Sequence, residues 1–435
     1  MSFLYIYGMK KFSVACAFLA LGWMNAQFSV FVEGPAEFPA KEVYLYTLNG
    51  SKDVLATKQN KKGNTWQLKV PQSYKGMMKL YFPETNTSVN FISENQDVRL
   101  AFAMRNGKIA NVDYKDAANT LMNEIQEVQQ KKEIILPALY QIKEYYKANS
   151  AFGAALDQEI NRLSAEKMDA GQFPFVTYYT TNYSKFLEKK AGKPEPTRAE
   201  IIQFIAGSNE FLETSSLLRP VLVAYLNAGS SSEISMDVDE LLAKVNLETP
   251  RGQTVISELI DIFDAYGMTE MKERYLAQAA DLKCTITDRL AQTIASNKMT
   301  QIGATFADYK FSNPAHTTAK SIYDVKADRK VIMFWASTCS HCENDLPVLI
   351  EKYNAMKKQK TEIIALSLDS DAAAFNNKVK MLPWINDSEL RGWNSTAAEQ
   401  YNVRATPTYF VLDSNNKIIA KPNRAADVIS FLKLN

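Results

Sequence analysis

The chain has 435 residues, 46% hydrophobic and 23% charged, which is enough for two or three domains with cores of their own. Its 50 basic and 48 acidic residues leave a net charge of +2. Without a strongly basic or acidic run, that balance excludes the electrostatic footprint of a nucleic-acid binder and says little about other partners.

The N-terminus carries an address. Lys10-Lys11 precede an apolar stretch from Phe12 to Trp23 that ends in Met24-Asn25-Ala26-Gln27. This is the order of a secretory signal peptide, expected over 1–26 with cleavage after Ala26 and with Met9 as an alternative start. Cys16 follows Ser13-Val14-Ala15, a poor lipidation box, so removal is expected over lipid anchoring. About twelve apolar residues also fall short of the roughly 20 that a membrane span needs, which weakens the alternative of a permanent anchor. The mature protein is expected to be periplasmic, with no membrane association beyond the signal peptide. It would keep three cysteines, Cys284, Cys339 and Cys342. An odd number in a chain this long excludes a small disulfide-rich scaffold.

Over 27–113 the hydrophobic period is two, which predicts an N-terminal antiparallel β domain of sandwich type. Strands are expected at Phe28–Val32, Glu42–Thr47, Thr65–Val70, Met77–Phe82, Ser88–Ile92 and Asp97–Phe102, with turns at Asn49-Gly50, Lys62-Gly63-Asn64, Pro71 and Pro83. Tyr44, Tyr46 and Trp66 could bind a ligand, but core positions would look the same, and core is the expectation. Over 114–300 the period turns helical and predicts an all-α domain. Helices are expected at Ala118–Tyr146 with a break at Pro137, Ala154–Met168, Phe173–Ala191, Arg198–Leu212, Leu217–Ala228, Val238–Val245, Arg251–Tyr266, Met268–Ala280 and Thr285–Ser296. The apolar stripe of the first would run through Leu121, Ile125, Val128, Ile135, Leu139, Ile142 and Tyr146. Phe173, Phe175, Tyr178, Tyr179 and Tyr183 suit a seam between helices better than a peptide groove. Cys284 is expected to be a buried, inert thiol.

Residues 301–435 alternate strand and helix and predict an α/β domain. Lys330–Trp335 is a short apolar run of central-strand type, and Leu346, Leu349, Ile350 and Tyr353 follow at helical spacing. Between them stands Cys339-Ser340-His341-Cys342, two thiols at a helix N-terminus. The thiolate is the attacking species in disulfide exchange, and a helix N-terminus stabilises it; such thiols titrate between about 3.5 and 7 instead of about 8.5. Cys339 would be the exposed nucleophile and Cys342 the covered thiol that resolves the mixed disulfide. His341 can charge-stabilise the thiolate and raise the reduction potential. A closed zinc site needs four ligands, and beyond this pair the mature chain offers only Cys284 and His316, neither at ligand spacing. No metal or cofactor is expected. Further on come a strand at Thr361–Asp369, a helix at Asp371–Lys380, a polar helix from Ser395, a strand ending at Asp413, a return at Ile418–Ala420 and a helix at Ala425–Leu434.

This order, with Phe334-Trp335-Ala336 before the cysteines, Asp345-Leu346-Pro347 after them and Ala405-Thr406-Pro407-Thr408 ahead of the third central strand, resembles the thioredoxin fold. Over about 303–435 it is most similar to the TlpA/ResA-like exported thiol:disulfide oxidoreductases. The resemblance implies that Pro407 is cis and packs beside the dithiol, that the backbone at Thr406 hydrogen-bonds an extended substrate, and that Trp335 supports the site. Thioredoxins proper carry a buried Asp where Met333 stands here. In TlpA/ResA-like proteins an acid three residues after the second cysteine does comparable proton-transfer work, and Asp345 matches it; complementing the helix dipole is the equal alternative. A β domain followed by helices also resembles, loosely, the front of many larger exported members. The expected activity is disulfide exchange with protein thiol or disulfide substrates in the reductase direction, with an upstream redox partner resetting the dithiol. A thiol peroxidase would need a Pro-x-x-x-Thr-x-x-Cys approach that Phe334 to Cys339 does not supply. A cell-envelope binding protein with an auxiliary thioredoxin-like domain is the other alternative.

Overall fold

The computed structural model describes residues 28–105, 108–146, 149–166, 169–188, 195–229 and 234–434. The expected signal peptide lies outside the described residues. Among those residues no helix is long and apolar enough to cross a membrane.

Eight strands come first: β1 (Phe28–Glu33), β2 (Glu42–Asn49), β3 (Lys52–Asn60), β4 (Thr65–Val70), β5 (Lys75–Phe82), β6 (Thr87–Glu94), β7 (Val98–Arg105) and β8 (Lys108–Tyr114). They form two four-stranded sheets, β4-β1-β7-β8 and β3-β2-β5-β6. Val30, Leu45, Leu68, Leu80 and Phe82 meet between the sheets around Phe38 and Trp66, whose rings lie 6.1 Å apart. All pairings are antiparallel except β1 with β7, which is parallel. The sequence pattern missed β3 and β8. Both are edge strands with much of their length exposed, and an edge without a buried face leaves no alternation to detect. Trp66 is in the core as expected, but Tyr44 and Tyr46 are not. Val43 and Leu45 take the inward positions of β2, so period two turns both tyrosines to the other face.

Among the described residues ten helices follow: α1 (Ala117–Lys143), α2 (Ala151–Ala165), α3 (Pro174–Phe186), α4 (Arg198–Gly207), α5 (Phe211–Thr214), α6 (Leu218–Asn227), α7 (Ile234–Val245), α8 (Pro250–Ala265), α9 (Thr269–Ala280) and α10 (Asp288–Met299). The break expected at Pro137 does not occur. Leu136 is buried against Ile160 and Leu163 of α2, which holds the axis through the proline. The buried stripe of α1 also runs through Met122, Ile125 and Leu136, leaving Ile142 and Tyr146 exposed. The aromatic seam is as expected, with Phe175 and Tyr178 edge-on to Phe211. Helix α8 is buried on nearly all sides, polar residues included. Cys284 is half-buried rather than buried, 3.4 Å from Nε2 of Gln253.

The sandwich docks on the helices through polar contacts that terminate both. Glu94 at the end of β6 accepts from the first amides of α3, Phe175 N at 2.8 Å and Val176 N at 3.2 Å. The β2–β3 turn presses against α8, where Glu258 accepts from Ser51 N at 2.8 Å. Gly50 is required there: its φ is +67°, and a Cβ would stand 2.5 Å from the Glu258 carboxylate.

The last unit is a five-stranded sheet, β9 (Arg329–Trp335), β10 (Thr361–Ser367), β11 (Ile385–Ser388), β12 (Thr408–Asp413) and β13 (Ile418–Ala420), in the order β11-β10-β9-β12-β13. Helices α11 (Ser340–Lys358), α12 (Ala372–Val379), α13 (Thr396–Gln400) and α14 (Ala425–Phe431) complete it. β10 is parallel to β9 and β11, whereas β12 runs antiparallel to β9. Val331, Met333 and Trp335 face α11 and α14; Ile332 and Phe334 face Phe306, Ile322 and Tyr401. Strand β11 was not expected, because Ile385-Asn386-Asp387-Ser388 is polar. Segment 309–315 supplies partners to it: the Asn386 backbone pairs with Ala315, and the Asp387 carboxylate accepts from Tyr309 Oη at 2.9 Å and Asn313 N at 2.6 Å.

Candidate active site at a helix N-terminus

Strand β9 ends in the fully buried Trp335 and gives way to a four-residue connection, Ala336 to Cys339, before α11. Asp369, just past β10, fixes that turn: its carboxylate accepts from Ser337 N at 3.1 Å and Ser337 Oγ at 2.7 Å. The Leu368 amide donates to Trp335 O at 2.7 Å. With its approach fixed in this way, Cys339 becomes the N-cap of α11, and Sγ accepts from Cys342 N at 3.1 Å. The first amides of a helix have no intrahelical acceptor and carry its positive end, so the sulfur stands where negative charge is stabilised. Cys339 is half-buried; Cys342, one turn in, is fully buried with Trp335, Leu346 and Leu349. The two are joined by a disulfide, with Cα atoms 5.2 Å apart.

The loop before β12 closes the site. The Thr406–Pro407 bond is cis, and Thr406 O lies 3.4 Å from Cys339 Sγ. Cys339, Cys342, Thr406 and Pro407, some 65 residues apart in the chain, thus come together. His341 is exposed on the first turn of α11. Trp335 forms the apolar floor, and its indole Nε1 has no hydrogen-bond partner among the described residues.

Asp345 is held by partners remote in the chain. Because α11 starts at Ser340, Asp345 falls in the second turn, beyond the first-turn positions where a dipole acts most strongly. Its Oδ2 accepts from Tyr409 Oη and from Ala425 N, each at 2.9 Å. The carboxylate therefore ties α11 to β12 and to the start of α14. Burial, with the Asp345 charge beside it, pushes the Tyr409 phenol far above its ordinary range.

Sequence reasoning missed Asp369, Tyr409 and two cations of the same face, Arg404 and Lys421. Asp369 left a signal, an acid closing a buried strand. The others left none, since their partners are remote in sequence. Pro407, Ala405 and Arg404 form one wall of a cleft of about 490 Å³ whose opposite wall is Gly267, Thr269 and Lys272 from the helical region. Behind it, Arg404 lies 3.9 Å from the buried Asp261, which Arg289 binds at 2.7 Å. Among the described residues no three His, Cys, Asp or Glu side chains gather as a metal cluster.

Residues 329–418 match a family model described as Thioredoxin-like. The chain is 30% identical over 102 residues to the thiol-disulfide oxidoreductase ResA of Bacillus cereus (strain ZK / E33L), covering 22% of this chain and 56% of that one. It is 24% identical over 157 residues to ResA of Geobacillus kaustophilus (strain HTA426), covering 34% and 86%. Among solved structures, the thioredoxin domain of a thiol-disulfide oxidoreductase from Bacteroides vulgatus is 21% identical, with a TM-score of 0.29 over 31% of this chain and 96% of that one. A putative thiol:disulfide interchange protein DsbE from Chlorobium tepidum is 20% identical, with a TM-score of 0.27 over 31% and 94%. The match to the Bacillus cereus relative thus spans about half of that protein's length, 56%. Residues 329–418 are thus thioredoxin-like, and this part of the chain is similar in sequence to ResA.

Proposed function

We propose that this chain is an exported thiol:disulfide oxidoreductase that exchanges disulfides with protein substrates through Cys339 and Cys342, working in the reductase direction. The observation that carries the reading is the asymmetry of the pair. Cys339 Sγ is the half-buried cap of α11, within 3.4 Å of the Thr406 carbonyl, while Cys342 is fully buried. Only the first sulfur can be reached by another polypeptide. In the reduced protein Cys339 attacks the near sulfur of a substrate disulfide, the substrate S–S bond breaks and a mixed disulfide forms. Cys342 then attacks Cys339 Sγ, which releases the substrate as a dithiol and leaves the protein oxidised. The Thr406 backbone offers the approaching chain a main-chain partner. An upstream partner resets the pair in this reading, and Lys10-Lys11 followed by the apolar stretch Phe12 to Trp23 supports export to the periplasm.

Cys342→Ser should trap covalent partners through Cys339 that a reducing agent releases. If no adduct forms while Cys339 of the variant still reacts with a thiol reagent, the assignment fails. His341 gives a second test. Its exposed imidazole next to the N-cap can favour the thiolate and thereby the reduced form. His341→Ala should therefore lower the reduction potential by on the order of 10–30 mV against glutathione, where about 30 mV corresponds to 1.4 kcal/mol for two electrons. An unchanged potential would make His341 a bystander.

A further inference from the structure

We infer that the helical region completes a substrate cleft beside the dithiol, and that Lys421 in this cleft selects polypeptides carrying a carboxylate close to the disulfide they present to Cys339. The inference rests on the oxidoreductase reading above.

The cleft adjoins the dithiol through one loop, although neither cysteine lines it. Its Pro407 wall belongs to the loop whose Thr406 O is 3.4 Å from Cys339 Sγ, and its far wall comes from the α8–α9 corner. A chain lying along Pro407 therefore touches both units. The charges lining it are unevenly matched. Lys272 holds Asp264 at 2.9 Å and Glu273 at 3.6 Å, and the same two acids offset only part of the burial of Lys421. Arg404 faces Asp261 at 3.9 Å. Lys421, which leads out of β13 into the cleft, makes no ion pair among the described residues; its Nζ stands 5.3 Å over the Phe410 ring with Lys272 beside it. Burial and the neighbouring Lys272 bring its ammonium down to about 8, so it is still mainly charged at neutral pH. A half-covered cation next to another cation is costly, and a carboxylate from outside removes that cost.

The test is a single turnover with full-length protein reduced beforehand, so that its own dithiol supplies the two electrons and two protons that convert one peptide disulfide into two thiols. Four peptides share one disulfide. Three have both ends blocked and carry Glu, Gln or Lys beside the cystine; the fourth carries Gln and a free C-terminal carboxylate. At subsaturating concentration the Glu peptide should react on the order of tenfold faster than the Gln peptide, the size of one charge-assisted hydrogen bond, and the Lys peptide more slowly. A fast fourth peptide would assign the carboxylate to a chain end instead of a side chain. Lys421→Met should bring the Glu:Gln ratio close to one, and Lys421→Arg should restore it. The ratio should also fall as pH rises through about 8, where Lys421 discharges among Asp264, Lys272 and Glu273. Equal rates for all peptides in the unaltered protein would overturn the inference and leave the oxidoreductase reading intact. No reduction of any peptide would overturn that reading itself.

Discussion

Replacing Cys339 by Ala is expected to abolish disulfide exchange by the full-length chain, a loss on the order of a thousandfold or more, because only a thiolate attacks a disulfide sulfur. The remaining thiol cannot substitute. Cys342 is fully buried in the first turn of α11. Cys342→Ala, by contrast, should keep the first attack and lose only release, so that it consumes one equivalent of substrate and stops. Alkylation separates the two thiols directly. In the reduced protein Cys339 should react with iodoacetamide faster at pH 7 than a free cysteine does, since the Cys342 amide already donates to its sulfur at 3.1 Å. Cys342 should stay unmodified until the protein unfolds. Equal alkylation of both sulfurs would contradict the division of labour.

The second large effect is on stability. Arg289 lies between two buried carboxylates, 3.0 Å from Glu258 and 2.7 Å from Asp261, all three nearly inaccessible to solvent. Glu258 reaches the β2–β3 turn through Ser51, and Asp261 faces Arg404 of the loop that carries Pro407. Arg289→Met would leave two like charges buried without their common partner. The expected loss is about 3–5 kcal/mol, the usual result of removing one member of a buried ionic group. Denaturant unfolding should show it as a lower midpoint, and adding Glu258→Gln to the variant should recover part of the loss by taking away one of the stranded charges. A change below about 1 kcal/mol would mean that water reaches the group, and would remove it as a junction of the three regions.

Burial at this junction also explains why Lys52 is brought down to about 8, with Arg404 adding to the effect. Lys52 and Lys421 share a sign. Both titrate below the ordinary lysine value in the folded chain, so their contribution to stability is present above about 10.5 and lost as pH falls through about 8.

Much of this was legible in the residues. Period-two and helical patterns separated the β, helical and α/β regions. The run from Lys330 through Cys342 placed two thiols at a helix N-terminus, since a buried strand must stop where charge and small polar residues begin. Local chemistry was enough for those statements, because hydrophobic period and helix-end electrostatics act over a few residues. What it could not reach are elements whose logic is a remote partner. Strand β11 is polar, and only the 309–315 segment makes its burial tolerable. Helix α1 passes through Pro137 because α2 holds it. That Tyr409 and Ala425, 64 and 80 positions away, donate to the Asp345 carboxylate is likewise invisible in the sequence.

The same boundary runs through the candidate site. By itself the sequence determined the chemistry, two cysteines one helical turn apart after a buried strand, because thiolate stabilisation depends on the backbone amides that the same residues supply. Only the tertiary structure decided what faces that chemistry: the Thr406 carbonyl against Cys339, the helical region across from Pro407, and Lys421 in the cleft with no ion pair among the described residues. Those are contacts between segments far apart in the chain. They depend on how three regions pack, and no local pattern of hydrophobicity or charge encodes that packing.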